Sequence, residues 1–248
     1  MDVPQTVTTA LADRSVAGRV CLEAGAGVGN TTAGLLDAGA RRVYAVTDER
    51  EHAELTRDRA TEHGSDPSGE SGGGPRLAVL EADLRAVPLP DDSVDVITAH
   101  GLCNVLDPPT LSAVAAELSR VAAPGADLIV DDYDPLPDDA AVRELFSVEN
   151  AAAELATGRP ALSFYPADFL RRVFSGWGWH AERERTLLDP VPWTESHLDA
   201  HAEVAAEHAA ACPEGVGDVL ARRASRLAAE IGAESTGRMY SIAMRLGE

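Results

Sequence analysis

An open, mostly parallel α/β sheet with helices on both faces is the fold class that the sequence predicts, and three observations carry it. Short apolar runs alternate with helical stretches through the first 130 residues, a glycine-rich turn joins the first run to the first helix, and no run of about 18 apolar residues interrupts the pattern. Such alternation implies parallel strands joined by right-handed crossovers, with ligands bound at the carboxyl ends of the strands.

The elements follow in order. Residues 19–23 form a short apolar run ending in an acid, and the glycine-rich turn after it leads into a helical stretch at 30–38. A second strand is expected at 42–47 and a polar helix at 51–63. Residues 64–75 contain Gly, Ser, Asp and Pro, which cannot build a core, and are expected to form a flexible surface insertion. Residues 77–80 and 94–99 are strand-like, 109–121 have helical spacing, and 127–130 form another apolar run before an acidic loop. Beyond Asp131 helices are expected at 138–156 and 166–174, an extended segment at 179–187, two alanine-rich helices at 195–211 and 216–231, and a closing strand at 238–246. No internal repeat and no linker between independent domains is visible. One domain is expected, with the helical pair before the last strand as an insertion.

Composition bounds the setting. There are 41 acidic residues against 21 basic ones, all of the latter arginine, for a net charge of -20. Self-repulsion of that size is tolerated where concentrated salt screens it, so a halophilic origin is expected. The charge also argues against a duplex nucleic-acid surface, which needs a basic stripe. Cys21, Cys103 and Cys212 show no paired spacing, so they read as inert thiols rather than a disulfide or zinc framework. Residues 1–14 lack a basic start followed by an apolar stretch, and a cytoplasmic location is expected.

The chemistry begins at Glu23-Ala24-Gly25-Ala26-Gly27-Val28-Gly29, an E-x-G-x-G-x-G stretch between strand and helix. Its glycines allow a sharp turn and close backbone approach to a ligand. Dinucleotide-binding enzymes carry G-x-G-x-x-G in the same place, but Asn30 stands where the third glycine would be. Glu23 suits an ammonium or sulfonium better than a pyrophosphate, which seeks positive charge.

Three further segments complete a pattern: Val43-Tyr44-Ala45-Val46 followed by Thr47-Asp48-Glu49; Leu80-Glu81-Ala82-Asp83-Leu84 followed by Val87-Pro88-Leu89-Pro90-Asp91-Asp92-Ser93-Val94-Asp95; and Glu117-Leu118-Ser119-Arg120-Val121 running into Ala123-Pro124-Gly125. Between Val20 and Asp132 the chain therefore resembles the class I, Rossmann-like methyltransferases. The resemblance implies a three-layer fold with a seven-stranded, mostly parallel sheet and an antiparallel last strand. It implies S-adenosylmethionine as cofactor, with residues 1–135 as the cofactor-binding core and 136–248 as acceptor-side helices and closing strands. It assigns Glu23, Gly25 and Gly27 to the methionine part, Asp83 to the adenine amino group and Leu84 to the edge of the adenine ring. The ribose falls to Asp48, with Glu49 as a substitute, because Thr47 occupies the position where the family places its acid. The last of the four segments is structural, a helix stop and turn.

Methyl transfer from a sulfonium is an in-line displacement, so alignment of the acceptor matters and a base is needed only when the acceptor carries a proton. His100, at the expected end of the fourth strand, is the candidate catalytic residue; Asp132 and Tyr133 are further acceptor-side candidates. Phe164, Tyr165 and Trp193 lie in segments expected to cover the pocket. His197, His201 and His208 recur on one helix, but Glu203 and Glu207 alternate beside them as on a wet surface, and no metal is expected. No added nucleic-acid module and no Asn-Pro-Pro-Tyr-like stretch follows the fourth strand, which favours a small-molecule acceptor. The rival readings are a non-catalytic S-adenosylmethionine-binding module and a nicotinamide-dependent oxidoreductase.

Overall fold

In the computed structural model the described residues are 3–62, 76–213 and 215–247, with the side chains of residues 61 and 62 outside the description. The expected surface insertion at 64–75 lies outside the described residues. In chain order the elements are α1 (Gln5–Leu11), β1 (Val20–Ala24), α2 (Asn30–Asp37), β2 (Arg42–Thr47), α3 (Arg50–Glu62), β3 (Leu77–Glu81) and β4 (Val94–His100). A single 3-10 turn (Cys103–Val105) precedes α4 (Pro108–Val121), β5 (Ala122–Tyr133), α5 (Val142–Thr157) and α6 (Ala167–Ser175). The chain continues through β6 (Trp179–Leu188), β7 (Pro192–Trp193), α7 (Glu195–Ala210), α8 (Val216–Ile231), β8 (Glu234–Ser235) and β9 (Met239–Leu246).

Seven strands form one sheet in the order β3-β2-β1-β4-β5-β9-β6, and β7 pairs with β8 separately. The first five strands are mutually parallel, whereas β9 runs antiparallel to both β5 and β6. Strand order reverses between β1 and β4, the crevice where ligands bind in open sheets of this kind. Both faces of the central strands are covered, which explains their near-continuous apolar runs. On one face Leu22, Ile97, Leu128 and Met244 pack with Leu111 and Leu118 of α4 and Leu170 and Phe174 of α6. On the other, Cys21, Val43, Val96 and Ile129 meet Val7 and Leu11 of α1 and Leu35 and Leu36 of α2. A third cluster joins α5, α7 and α8 around Phe146, Trp193, Leu198 and Leu227.

Local chemistry sets several boundaries. Asp107 caps α4 by accepting from Thr110 N at 2.8 Å, and Pro108 and Pro109 occupy the first turn, where no N–H partner is needed. Thr194 and His197 cap α7 reciprocally. Helix α5 starts at Val142 rather than at the expected 138, and its first free N–H groups, those of Ala141 and Val142, donate to Glu234 at 3.1 and 2.9 Å. Strand β5 is longer than the expected 127–130: it leaves α4 without a loop, because Ala122 already pairs with Val94. Helix α1, absent from the sequence expectation, is held by packing: a Cβ on Gly34 of α2 would come within 2.7 Å of Val7 Cγ1. Buried Asp127 at the sheet's opposite end accepts from Arg14, Arg19 and Arg245, so an otherwise costly carboxylate is neutralised by three guanidinium groups.

Candidate active site

The glycine-rich turn is set by backbone demands. Gly25 has φ +75°, and a Cβ there would meet Leu102 Cδ1 at 2.9 Å. Gly29 has φ +78° as the residue before α2, and a Cβ would meet the backbone of Thr56 at 2.9 Å. Any side chain at either position would be strained and would push apart β1, α3 and the loop after β4. The turn is tied to the sheet by Gly25 and Ala26, whose N–H groups donate to Val46 O at 3.0 and 2.9 Å. Glu23 lies beneath this turn: it is 2 % exposed and accepts the Thr32 hydroxyl. Burial pushes its carboxyl up to about 7, against the opposing pull of the Thr32 hydrogen bonds and the nearby His100.

A cavity of about 410 Å³ opens over the carboxyl ends of β1, β2 and β3, and Gly25, Asp48, Asp83 and Leu84 all line it. Glu23, Gly27 and His100 are not among its lining residues. Thr47 ends β2 and accepts from Glu49 N at 3.2 Å, so the acid the sequence shifts by one residue does stand in the turn. Glu49 pairs with His52 at 3.1 Å, whereas among the described residues Asp48 makes no side-chain hydrogen bond or ion pair. Asp83 accepts from the backbone N–H of Arg85 at 2.8 Å and from its guanidinium at 2.6 to 3.0 Å. Those bonds hold the Asp83 carboxyl below the usual carboxylate range. Four carboxylates (Asp48, Glu49, Asp83, Asp107) face the cavity against two guanidinium groups (Arg85, Arg159). Arg85 is paired with Asp83, and Arg159 with Asp107 at 3.4 Å. The wall is therefore net negative, which fits an ammonium or sulfonium and opposes a pyrophosphate.

A second cavity, about 340 Å³, adjoins the first at Val105, which lines both. Its wall combines Gly101 and Asn104 after β4 with Tyr133, Phe164, Trp193, His197 and His201. The 3-10 turn between the two cavities is anchored by Asp132, fully buried, which accepts from Asn104 N at 3.0 Å and Tyr133 N at 2.8 Å. Burial pushes the Asp132 carboxyl up to about 7, and burial beside Asp132 pushes the Tyr133 phenol up to about 12. Tyr133 and Trp193 are 5.4 Å apart between ring centroids, and Phe146 lies 5.6 Å from Phe164 and 5.2 Å from Trp193. Tyr165 is turned elsewhere, its hydroxyl donating to Leu106 O at 2.8 Å.

His100 Nδ1 lies 3.0 Å from Asp131 Oδ2. Burial opposes a charge on its ring, but the hydrogen bond and charge of Asp131, with Glu23 and Asp132 behind, outweigh that and raise its pKa. His100 lines neither of the two cavities. The histidine stripe of α7 does not meet as a three-histidine site: His197 caps its helix and His201 Nδ1 lies 2.8 Å from Glu149 Oε2. Among the described residues no group of three His, Cys, Asp or Glu could hold a metal ion. The three cysteines are free, and burial pushes Cys21 up to about 12 and raises Cys103 well above the ordinary thiol value. The contact of His201 with Glu149 was not legible in the sequence, because Glu149 belongs to a different helix 52 residues away. Asn104 was missed as well: it is buried, lines the second cavity and keeps a side-chain oxygen without a partner.

No curated protein matches the chain. Solved structures match over nearly its whole length. A candidate methyltransferase from Bacillus halodurans C-125 is similar at a TM-score of 0.66 and 12% identity, over 98% of this chain and 99% of that one. Geranyl diphosphate C-methyltransferase from Streptomyces coelicolor A3(2), solved with Mg2+, geranyl diphosphate and S-adenosyl-L-homocysteine, is similar at 0.60 and 14%, over 97% and 76%. The [4+2]-cyclase SpnF is similar at 0.64 and 17%, over 98% and 80%. At these identities the likeness establishes the fold: an α/β, Rossmann-like methyltransferase fold with a seven-stranded sheet and one antiparallel strand. Within it, residues 22–130, from β1 to β5, match the family model of a methyltransferase domain.

Proposed function

We propose that the chain is an S-adenosylmethionine-dependent methyltransferase that transfers a methyl group to a small-molecule acceptor by in-line displacement. The observation that carries this reading is the meeting of Gly25, Asp48, Asp83 and Leu84, from three separate strand ends, on one net-negative cavity that adjoins a second, aromatic one. The residues fit the cofactor: Gly25 brings bare backbone to the cavity wall, and Asp83 presents there a carboxylate that would exchange part of its bonding to Arg85 for the adenine amino group.

In this reading Gly25 approaches the methionine part, Asp48 takes the ribose hydroxyls, and Asp83 and Leu84 take the adenine. Glu23 and Gly27 act from outside the cavity, Glu23 by fixing the turn to α2 through the Thr32 hydroxyl. When bound, the cofactor supplies an electrophilic methyl carbon. Residues 1–135 supply most of the wall that would hold it, with Arg159 and Pro160 added, and residues 136–248 supply most of the wall against which the acceptor is aligned.

Calorimetry in molar KCl with S-adenosylmethionine, S-adenosylhomocysteine and NADH tests the reading. Both methionine-derived ligands are expected to bind and NADH is not. Asp83→Ala should weaken them by about tenfold or more, the worth of one hydrogen bond to a charged group. A folded protein that binds neither ligand would overturn the reading. The fold likeness to SpnF, a protein named for cyclisation rather than methyl transfer, keeps one alternative in view. Tight cofactor binding without turnover on a broad acceptor panel would favour a non-catalytic module.

A further inference from the structure

The second cavity is lined by one member of a histidine–carboxylate pair whose chemistry the cofactor site does not use. Glu149 sits on α5 with 2 % of its surface exposed, and its Oε2 meets His201 Nδ1 of α7 at 2.8 Å. An ionised carboxylate can only accept, so Nδ1 carries the proton of that hydrogen bond and Nε2 is the ring nitrogen left to accept another. Among the described residues Nε2 makes no hydrogen bond, and His201 lines the cavity. The ring is steadied by packing, 4.6 Å from Phe146 and 6.3 Å from Trp193 between centroids. Its tautomer and orientation are thus fixed before any ligand arrives, as a general base requires.

We propose that His201, oriented by Glu149, is the general base of this cavity and that the methyl acceptor is a planar hydroxyarene. The proposal rests on the methyltransferase reading above. Three features select the acceptor class. Tyr133, Phe164 and Trp193 line the wall, and an aromatic wall suits a flat apolar body. A neutral amine attacks through a lone pair it already has, whereas an aryl hydroxyl gains from losing its proton as the new bond forms. Asn104 Oδ1, buried at the cavity wall without a partner, calls for a hydrogen-bond donor, which a second hydroxyl on the ring would supply.

The step balances without further reactants. The hydroxyl proton passes to His201 Nε2 while the oxygen forms a bond to the methyl carbon. The carbon–sulfur bond breaks with its electron pair on sulfur, giving the methyl aryl ether and a neutral thioether. Glu149 stabilises the imidazolium until its proton leaves to solvent. The other titratable groups facing His201 are His197 on its own helix and Tyr133 from β5, whose phenol stays protonated near neutrality.

The test uses two phenols on the full chain at about pH 8.5: 4-methylphenol, still protonated there like a tyrosine side chain, and 4-nitrophenol, largely ionised there. The expected result is methyl ether formation from both. His201→Asn should lower kcat/KM for 4-methylphenol by about a hundredfold or more and for 4-nitrophenol by less than about threefold, because an acceptor that arrives ionised needs no base. The rising acid limb of the wild-type pH profile should disappear with 4-methylphenol in that variant. Imidazole NMR without any cofactor gives an independent reading: the proton should sit on Nδ1 of His201, and Glu149→Gln, whose amide can donate to Nδ1, should shift it. An equal loss on both phenols, no loss on either, or a proton on Nε2 in the wild type would overturn the role of His201. Binding of S-adenosylmethionine with transfer to amines but to neither phenol would overturn the acceptor class alone. Absence of S-adenosylmethionine binding would instead remove the reading on which both depend.

Discussion

Two histidines pair with buried carboxylates in nearly the same geometry, and their surroundings separate them. His100 meets Asp131 at 3.0 Å and His201 meets Glu149 at 2.8 Å; the two imidazoles expose 26% and 25% of their side chains. Around His100 stand the further carboxylates Glu23 and Asp132, which raise its pKa and favour the imidazolium. Around His201 stand the rings of Phe146 and Trp193, and only His201 lines one of the two cavities. A histidine held charged among carboxylates is a poor proton acceptor, whereas one with a single carboxylate partner and an open ring nitrogen is a good one. The pairwise distance therefore says little about role, and the second neighbours decide it.

The largest effect is expected where the two regions meet. Asp132 anchors the turn that separates the cavities, and Asp132→Ala would leave the N–H groups of Asn104 and Tyr133 without their acceptor. Each buried, unsatisfied donor costs about 1–3 kcal/mol, so a loss of about 3 kcal/mol is expected in urea unfolding. A loss below about 1 kcal/mol, within the range of ordinary surface substitutions, would show that the turn is held by its packing instead.

A smaller effect tests the electrostatics of the His100 region. The Glu23 carboxyl rises from 4.5 to about 7 on folding, so between those pH values the folded chain binds the proton that the unfolded chain has released. Ionising Glu23 therefore costs stability: the penalty is absent below pH 4.5 and complete above about 7, and it amounts to on the order of 3 kcal/mol. His100 acts with the same sign, because its raised pKa adds stability that is present below 6.5 and lost as pH rises through the folded value. Wild-type stability should decline from pH 5 to pH 8, and Glu23→Gln should flatten that decline. An unchanged slope in the variant, followed by urea titration at each pH, would place the proton uptake elsewhere.

What the sequence revealed divides along the same line. Strands β1 to β4 and helices α2 to α4 were legible because they are local and either apolar on both faces or amphipathic, whereas α1 and residues 122–126 of β5 were not. That Gly25, Asp48, Asp83 and Leu84 share one cavity was legible because strand ends in an open parallel sheet converge on one edge, so motifs far apart in sequence become neighbours by topology alone. The second cavity was not legible in this way. Its wall comes from β5, the loops around Phe164 and Trp193, and α7, and no periodicity tells which face of α7 meets α5. The three-histidine spacing pointed to one helix face, yet it could not show that His201 turns to Glu149 while His197 serves as a cap. Nor could it reveal that Glu234 closes the start of α5, a contact across 92 residues.

The smallest expected effect is also the sharpest comparison of the two pairs. His100→Asn removes an imidazole that lines neither cavity but whose partner Asp131 is 3% exposed and keeps its Oδ1 without a hydrogen bond. The variant should therefore be felt in stability, because the asparagine amide replaces a charged donor with a neutral one beside a buried carboxylate. Turnover of 4-methylphenol should fall by no more than about tenfold, well short of the hundredfold expected for His201→Asn, and its acid limb should persist because the proton acceptor is untouched. The reverse ordering, with the limb lost in His100→Asn and kept in His201→Asn, would return the base to the end of β4. In that case the charge cluster around Glu23 would have to release its hold on the His100 proton when the cofactor's own positive charge arrives beside it.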